Sequence, residues 1–167
     1  LPMKEGKPQY NVYNTDAAWG AQWNLSQLWT LAYPEYMSEY VSSHIQAYKD
    51  AGWLADGLAN NRYVSGVGTN LLSTIIAGAY QCGIRDFDTK LAYEACLKNE
   101  LDGKDRPFGA GKVNTAEFVK YGYVPHQDQG EGYHETFMFS ASHTLEYSYS
   151  AWAVAQWAKS LGDTENY

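Results

Sequence analysis

The sequence predicts an all-α protein. Three observations carry that expectation. Apolar residues recur at helical spacing over most of the chain, glycine or proline punctuates each such run, and no segment alternates apolar and polar residues as a half-buried strand does. The rhythm of helix, glycine stop, loop and helix is that of antiparallel helix pairs. Six helices in successive pairs form about half of a closed ring of twelve, an (α/α)6 toroid.

Taken in order, residues 1–13 are an extended lead-in, and Asn14-Thr15-Asp16 supplies capping side chains for a first helix. Leu25, Leu28, Trp29 and Ala32 recur at helical spacing in it, with Trp23 and Trp29 read as core. Pro34 opens a second helix, where proline is tolerated in the first turn. Its apolar face is Met37, Tyr40, Val41, His44, Ile45 and Tyr48, and Gly52 ends it. An Asn- and Gly-rich loop follows from Trp53 to Gly66. The third helix carries Leu72, Ile75, Ile76, Ala79 and Tyr80 and stops at Gly83. Asp88 caps a fourth around Leu91 to Leu97, and a loop runs from Asn99 to Gly111. Asn114-Thr115-Ala116-Glu117 resembles a capping box for a fifth helix, which ends at Gly122. After a polar loop from Tyr123 to His134, the sixth helix runs over Ser142–Lys159, with Gly162 as its terminator. It is apolar on most of its surface, which places it in the middle of a helical protein.

At 167 residues the chain is long enough for one domain with a core. Its six Trp, fifteen Tyr and five Phe suit a core and equally a cleft that stacks on sugar rings. The net charge of −7 offers no basic stripe and excludes a nucleic-acid partner. No apolar run is long enough to span a membrane. Leu1 to Lys7 is polar and is not a signal peptide, and the absence of an initiating Met reads as a processed or excised piece of something longer. Cys82 and Cys96 match no metal spacing and read as two buried small hydrophobes. His44, His126, His134 and His143 are scattered, with no HExxH pattern, so no metal site is expected in this chain.

One acid, Glu146, lies within the apolar sixth helix. A carboxylate in such surroundings is paired, neutralised, or there for chemistry. As a structural residue it would pair with His143 or a neighbouring helix; as a general acid, burial would keep it protonated near neutral pH. Trp19 and Trp53 sit at helix ends, where they either line a cleft or pack. Asn60 and Asn61 either bond sugar hydroxyls or serve the turn. Asp128, Glu131 and Glu135 read as solvated loop charges, and His134 and His143 as packed or capping residues.

Several segments together are recognisable: Trp23-Asn24-Leu25-Ser26-Gln27-Leu28-Trp29 with Tyr33-Pro34-Glu35; Ala51-Gly52-Trp53-Leu54 with Ala59-Asn60-Asn61; Ala79-Tyr80 with Gly83-Ile84-Arg85-Asp86-Phe87-Asp88 and Ala92-Tyr93-Glu94-Ala95; Tyr121-Gly122-Tyr123-Val124-Pro125; and Thr144-Leu145-Glu146-Tyr147. In this order and spacing they resemble glycoside hydrolase family 92, the calcium-dependent exo-α-mannosidases. The resemblance runs from Tyr13 to Gly162.

It implies an (α/α)6 catalytic domain preceded by a β-sandwich, of which residues 1–167 supply the first half of the toroid. It implies inverting hydrolysis of terminal α-mannosyl linkages, which needs an acid and a base roughly 6.5–9.5 Å apart. The Thr-Leu-Glu-Tyr glutamate, Glu146, takes the general-acid role. The base aspartates and most calcium ligands fall in a later segment, so the fragment alone is expected to be inactive. The implied partners are a glycan substrate and the remainder of the parent polypeptide, in the periplasm or outside the cell. The chain departs from the family pattern in three places. Where many members carry Trp-Asp-Thr, with the Asp on the terminal mannose, this chain has Trp19-Gly20-Ala21, leaving Asp16 or Gln22 as the substitute. Ser150-Ala151 replaces an acidic pair, and Gly68-Thr69 replaces Gly-Asp. The Gly20-Ala21 and Ser150-Ala151 departures keep a non-catalytic carbohydrate-binding or structural module in view, and the abundance of Tyr, a common base in such enzymes, keeps another toroid enzyme such as an epimerase or lyase.

Overall fold

A computed structural model describes residues 3–8, 10–14, 18–59, 62–64, 69–126 and 139–167. In chain order the described elements are β1 (Met3–Lys4), β2 (Lys7–Pro8), α1 (Ala18–Ala21), α2 (Leu25–Ala32), α3 (Pro34–Ala51), β3 (Gly57–Ala59), β4 (Arg62–Val64), α4 (Leu72–Gln81), α5 (Thr89–Leu101), α6 (Thr115–Tyr121) and α7 (Ser140–Leu161). The all-α expectation holds, with two antiparallel hairpins added: β1 with β2, and β3 with β4 in the register Gly57↔Val64, Leu58↔Tyr63 and Ala59↔Arg62. Strands of two or three residues are too short to display alternation, so periodicity passes over them.

The core forms where α3, α4, α5 and α7 meet. The predicted α3 stripe is buried at all six positions, Met37 to Tyr48. Asp88 caps α5 as expected, its Oδ1 accepting from Leu91 N–H at 3.0 Å. Trp157 of α7 is fully buried, stacked on Tyr80 at 4.6 Å and tilted against Tyr93 at 5.3 Å. Tyr93 Oη then donates to Asp163 at 2.8 Å, tying α5 to the end of α7.

Four local expectations are corrected. The helix surrounded on nearly all sides is α4, not α7: every residue from Leu72 to Ala77 is buried, as is Ala79. It packs against α3, α5 and α7, whereas α7, among the described residues, leaves large apolar side chains open. Leu145 and Trp152 on α7 are 73 % and 60 % exposed. Trp23 lies in the turn before α2 and is exposed, while Trp29 packs edge-on to Tyr36 at 5.0 Å. Asn114 makes no capping bond; its backbone is left-handed (φ 57°) rather than in the extended conformation from which an N-cap side chain usually reaches the first turn. Of the two free cysteines, Cys96 is buried but Cys82, just past the end of α4, is exposed.

His44 lies within the α3 face, edge-on to Tyr40 at 4.5 Å, and neither ring nitrogen has a hydrogen-bond partner. Burial pushes its imidazole down to about 3, against about 6.5 in an unfolded chain. Between those values the unfolded chain binds a proton that the folded one refuses, so stability falls as pH drops through that window. Urea unfolding of wild type and His44→Phe from pH 7 to pH 4.5 tests this. Below about 6.5 the wild type should lose about 1.4 kcal/mol per pH unit more than the variant.

Candidate active site

The N-terminal half of α7 turns His143, Tyr147 and Ser150 inward, at the spacing that lines one side of a helix. The His143 ring stacks on Tyr147 at 5.5 Å. Glu146 lies at the margin of this stripe and is half-buried. Burial lifts its carboxyl above the ordinary carboxylate range, and the Lys112 ammonium draws it back part of the way.

Lys112 is the charge beneath this site. Its side chain is 1 % exposed, and Nζ donates to Glu100 Oε2 and Ser150 Oγ. The ammonium also stands 4.9 Å from the centre of the Tyr147 ring. Ser150 Oγ donates in turn to Glu100 Oε2 at 2.9 Å. Burial pushes the ammonium below its ordinary range, while the Glu100 carboxylate favours the charged form. Tyr147 Oη donates to Val113 O at 2.7 Å, fastening α7 to the residue after Lys112.

Close backbone contacts bring Lys112 there. Asp56 N–H donates to Gly109 O at 2.9 Å, and Gly111 N–H donates to Leu54 O at 2.8 Å. Asn70 Nδ2 bridges Leu54 O and Gly111 O at 3.1 and 3.0 Å, and Asn99 Nδ2 holds Asn70 O and Ser73 Oγ at 3.2 and 2.8 Å. Two glycines make this run possible. Gly109 (φ 76°) passes so near β4 that a Cβ would meet the Val64 carbonyl carbon at 2.5 Å. Gly111 (φ 59°) lies against the Trp53 ring, where a Cβ would sit 3.0 Å from two ring carbons.

The other predicted site residues fall in different places. Trp19, on α1, is 51 % exposed. Trp53 is buried at 8 %, with Lys98 Nζ 4.2 Å from the ring centre, so in this chain the ring packs and offers little surface to a ligand. Gln22 is buried and lines a cavity of about 360 Å³ with Leu31, Thr74, Tyr149, Trp152 and Gln156. A second cavity, about 480 Å³, opens between α5 and α7 and is lined in part by Glu100, Ser148, Trp152 and Glu165. Neither includes Glu146. Asn60, Asn61, Asp16, Asp128, Glu131, His134 and Glu135 lie outside the described residues. Lys112 and Glu100 were not anticipated. The available signal was a lysine directly after Gly-Ala-Gly, a place where the backbone approaches something closely.

Among the described residues, no three His, Cys, Asp or Glu side chains converge on one point. The calcium implied by the resemblance therefore finds no donor set among them.

The sequence model of the glycosyl hydrolase family 92 catalytic domain matches residues 2–167, and the chain belongs to that family. An uncharacterized secreted glycosidase of Arthroderma benhamiae is 33 % identical over 140 residues, which is 81 % of this chain and 17 % of the relative. The family GH92 inverting mannosidase of Bacteroides thetaiotaomicron superposes with a TM-score of 0.79 at 25 % identity, covering 94 % of this chain and 20 % of that one. A family GH92 α-mannosidase of the same organism, solved with mannoimidazole, gives a TM-score of 0.75 at 20 % identity over 98 % of this chain and 20 % of that one. The chain thus spans about a fifth of the length of these relatives. No helix among the described residues is long and apolar enough to cross a membrane.

The glycine requirement is testable. Gly109→Ala combines a left-handed backbone with a clash against β4 and should cost about 2–5 kcal/mol, read from the shift in a denaturant midpoint. A loss no larger than that of an ordinary surface substitution would contradict the packing described.

Proposed function

We propose that this chain is the first half of the (α/α)6 catalytic domain of an exo-acting, inverting α-mannosidase, with Glu146 as its general acid. The observation that carries the reading is a half-buried carboxyl on α7 whose burial favours the protonated form. Family membership and the likeness to an inverting mannosidase support it.

In this reading the neutral Glu146 carboxyl gives its proton to the glycosidic oxygen as the bond to the anomeric carbon breaks. A base on the opposite face of the sugar activates the attacking water, roughly 6.5–9.5 Å away, and the anomeric configuration inverts. That base and the calcium ligands belong to polypeptide outside this chain, so the isolated chain does not hydrolyse mannosides. The remaining polypeptide, including a β-sandwich and the second toroid half, packs on the open apolar faces of α2 and α7, where Leu28, Leu31, Leu145 and Trp152 stand exposed. Trp19 offers an exposed ring for a sugar to stack on, and Gln22 a polar group. The enzyme works in the periplasm or outside the cell, in line with the relative called a secreted glycosidase.

A second reading, a carbohydrate-binding module without catalysis, draws on Gly20-Ala21 and Ser150-Ala151 standing where the family pattern is acidic. Release of mannose from α-mannobiose by the full-length protein separates the two. Glu146→Gln should lower that rate by about 10²–10⁴-fold and spare substrates with good leaving groups. An undiminished rate on α-mannobiose sinks the acid assignment. Calorimetric binding of mannobiose with no turnover in the wild type establishes the module instead, and an unsaturated product identifies a lyase.

A further inference from the structure

The buried cluster behind Glu146 takes no part in the proton transfer just described, yet its construction is costly. The Lys112 and Glu100 side chains are only 1 % and 5 % exposed. Stripping water from two charges costs several kcal/mol per ion, offset only when the geometry and the remaining hydrogen bonds are good. Here the ammonium has partners on more than one side: Glu100 and Ser150 accept from it, and the face of Tyr147 lies beside it. Apolar residues of similar volume often serve such a spot without loss of stability, so stability alone does not account for the pair.

The placement supplies a reason. Ser150 is four residues after Glu146 on α7, which puts the two on one side of the helix a single turn apart. Tyr147, which carries the ammonium against its ring, directly follows Glu146. A charge fixed there, away from water, acts on its neighbours more strongly than one in solvent.

We propose that Lys112 is a positioning residue for Glu146: its ammonium, clamped by Glu100 and Ser150, sets the field in which that carboxyl holds and releases its proton. The inference rests on the reading of Glu146 as the general acid. Burial makes the carboxyl hold its proton more firmly; the lysine stabilises the carboxylate left after donation, so the proton departs more readily. The other groups facing the cluster act differently. Glu100, from α5, opposes the lysine's charge but serves mainly to hold it. Cys96, also from α5, is kept as a neutral thiol by burial. Glu165, from the C-terminal segment, lines the cavity beside Glu100.

The test is the pH profile of kcat/KM on α-mannobiose for the full-length enzyme, with folding checked by circular dichroism. Lys112→Met combined with Glu100→Gln removes both charges at near-constant volume, so no buried carboxylate is stranded. Its alkaline limb should move up by about one pH unit, with a several-fold lower plateau. Ser150→Ala keeps both charges but loosens the clamp and should move the limb the same way by less. Lys112→Arg should restore it towards wild type. An alkaline limb that stays in place in both the double variant and Ser150→Ala overturns the proposal. Glu146→Gln in the same series separates the two readings. If it keeps the limb and the rate, the acid assignment itself has failed. If it loses them while the lysine variants leave the limb unmoved, only the role of Lys112 has failed.

Discussion

A lysine with 1 % of its side chain exposed must be answered by acceptors or give up its charge. Much of the organisation around α7 follows from answering Lys112. Glu100 reaches it from α5 and Ser150 from α7, so the cluster draws those helices together on the segment between α5 and α6. That segment must run close beneath β4 and Trp53, which only residues without a side chain permit at 109 and 111. The small hairpin, the Asn70 bridge and the α5–α7 contact thereby form one mechanical unit. Its bonds are charged or buried, the kind whose loss is felt most.

The second organising contact is aromatic. Trp157, Tyr80 and Tyr93 lock the C-terminal half of α7 onto α4 and α5. The two halves of α7 are therefore held by different physics, stacking at one end and a buried ion cluster at the other. Glu146 lies in the ionic half, where burial and a single cation pull its carboxyl in opposite directions. For the proposed general-acid role that balance matters, since burial favours the protonated form and a neighbouring cation favours its release.

Much of the fold was legible because it is local. The α3 stripe from Met37 to Tyr48, the Asp88 cap and the helix ends at Gly52, Gly122 and Gly162 all follow from spacing and backbone preference. Glu146 stood out for the same reason, as one acid in an apolar helix. Other features were hidden because they depend on residues far apart in sequence. Lys112 and Ser150 are 38 positions apart, and Glu100 and Ser150 are 50. Trp53 carried an equally good signal for cleft or core, and only the placement of Lys98 and Gly111 resolved it towards packing.

Helical periodicity, glycine punctuation and the order of short motifs were enough to establish an all-α chain, its family and the carboxyl of interest, because each is written in neighbouring residues. Three-dimensional packing decided which helix is enveloped, which aromatic rings remain open, and that a buried ammonium stands behind the acid. Those outcomes depend on burial and on long-range pairing of charge, and neither has a period along the chain.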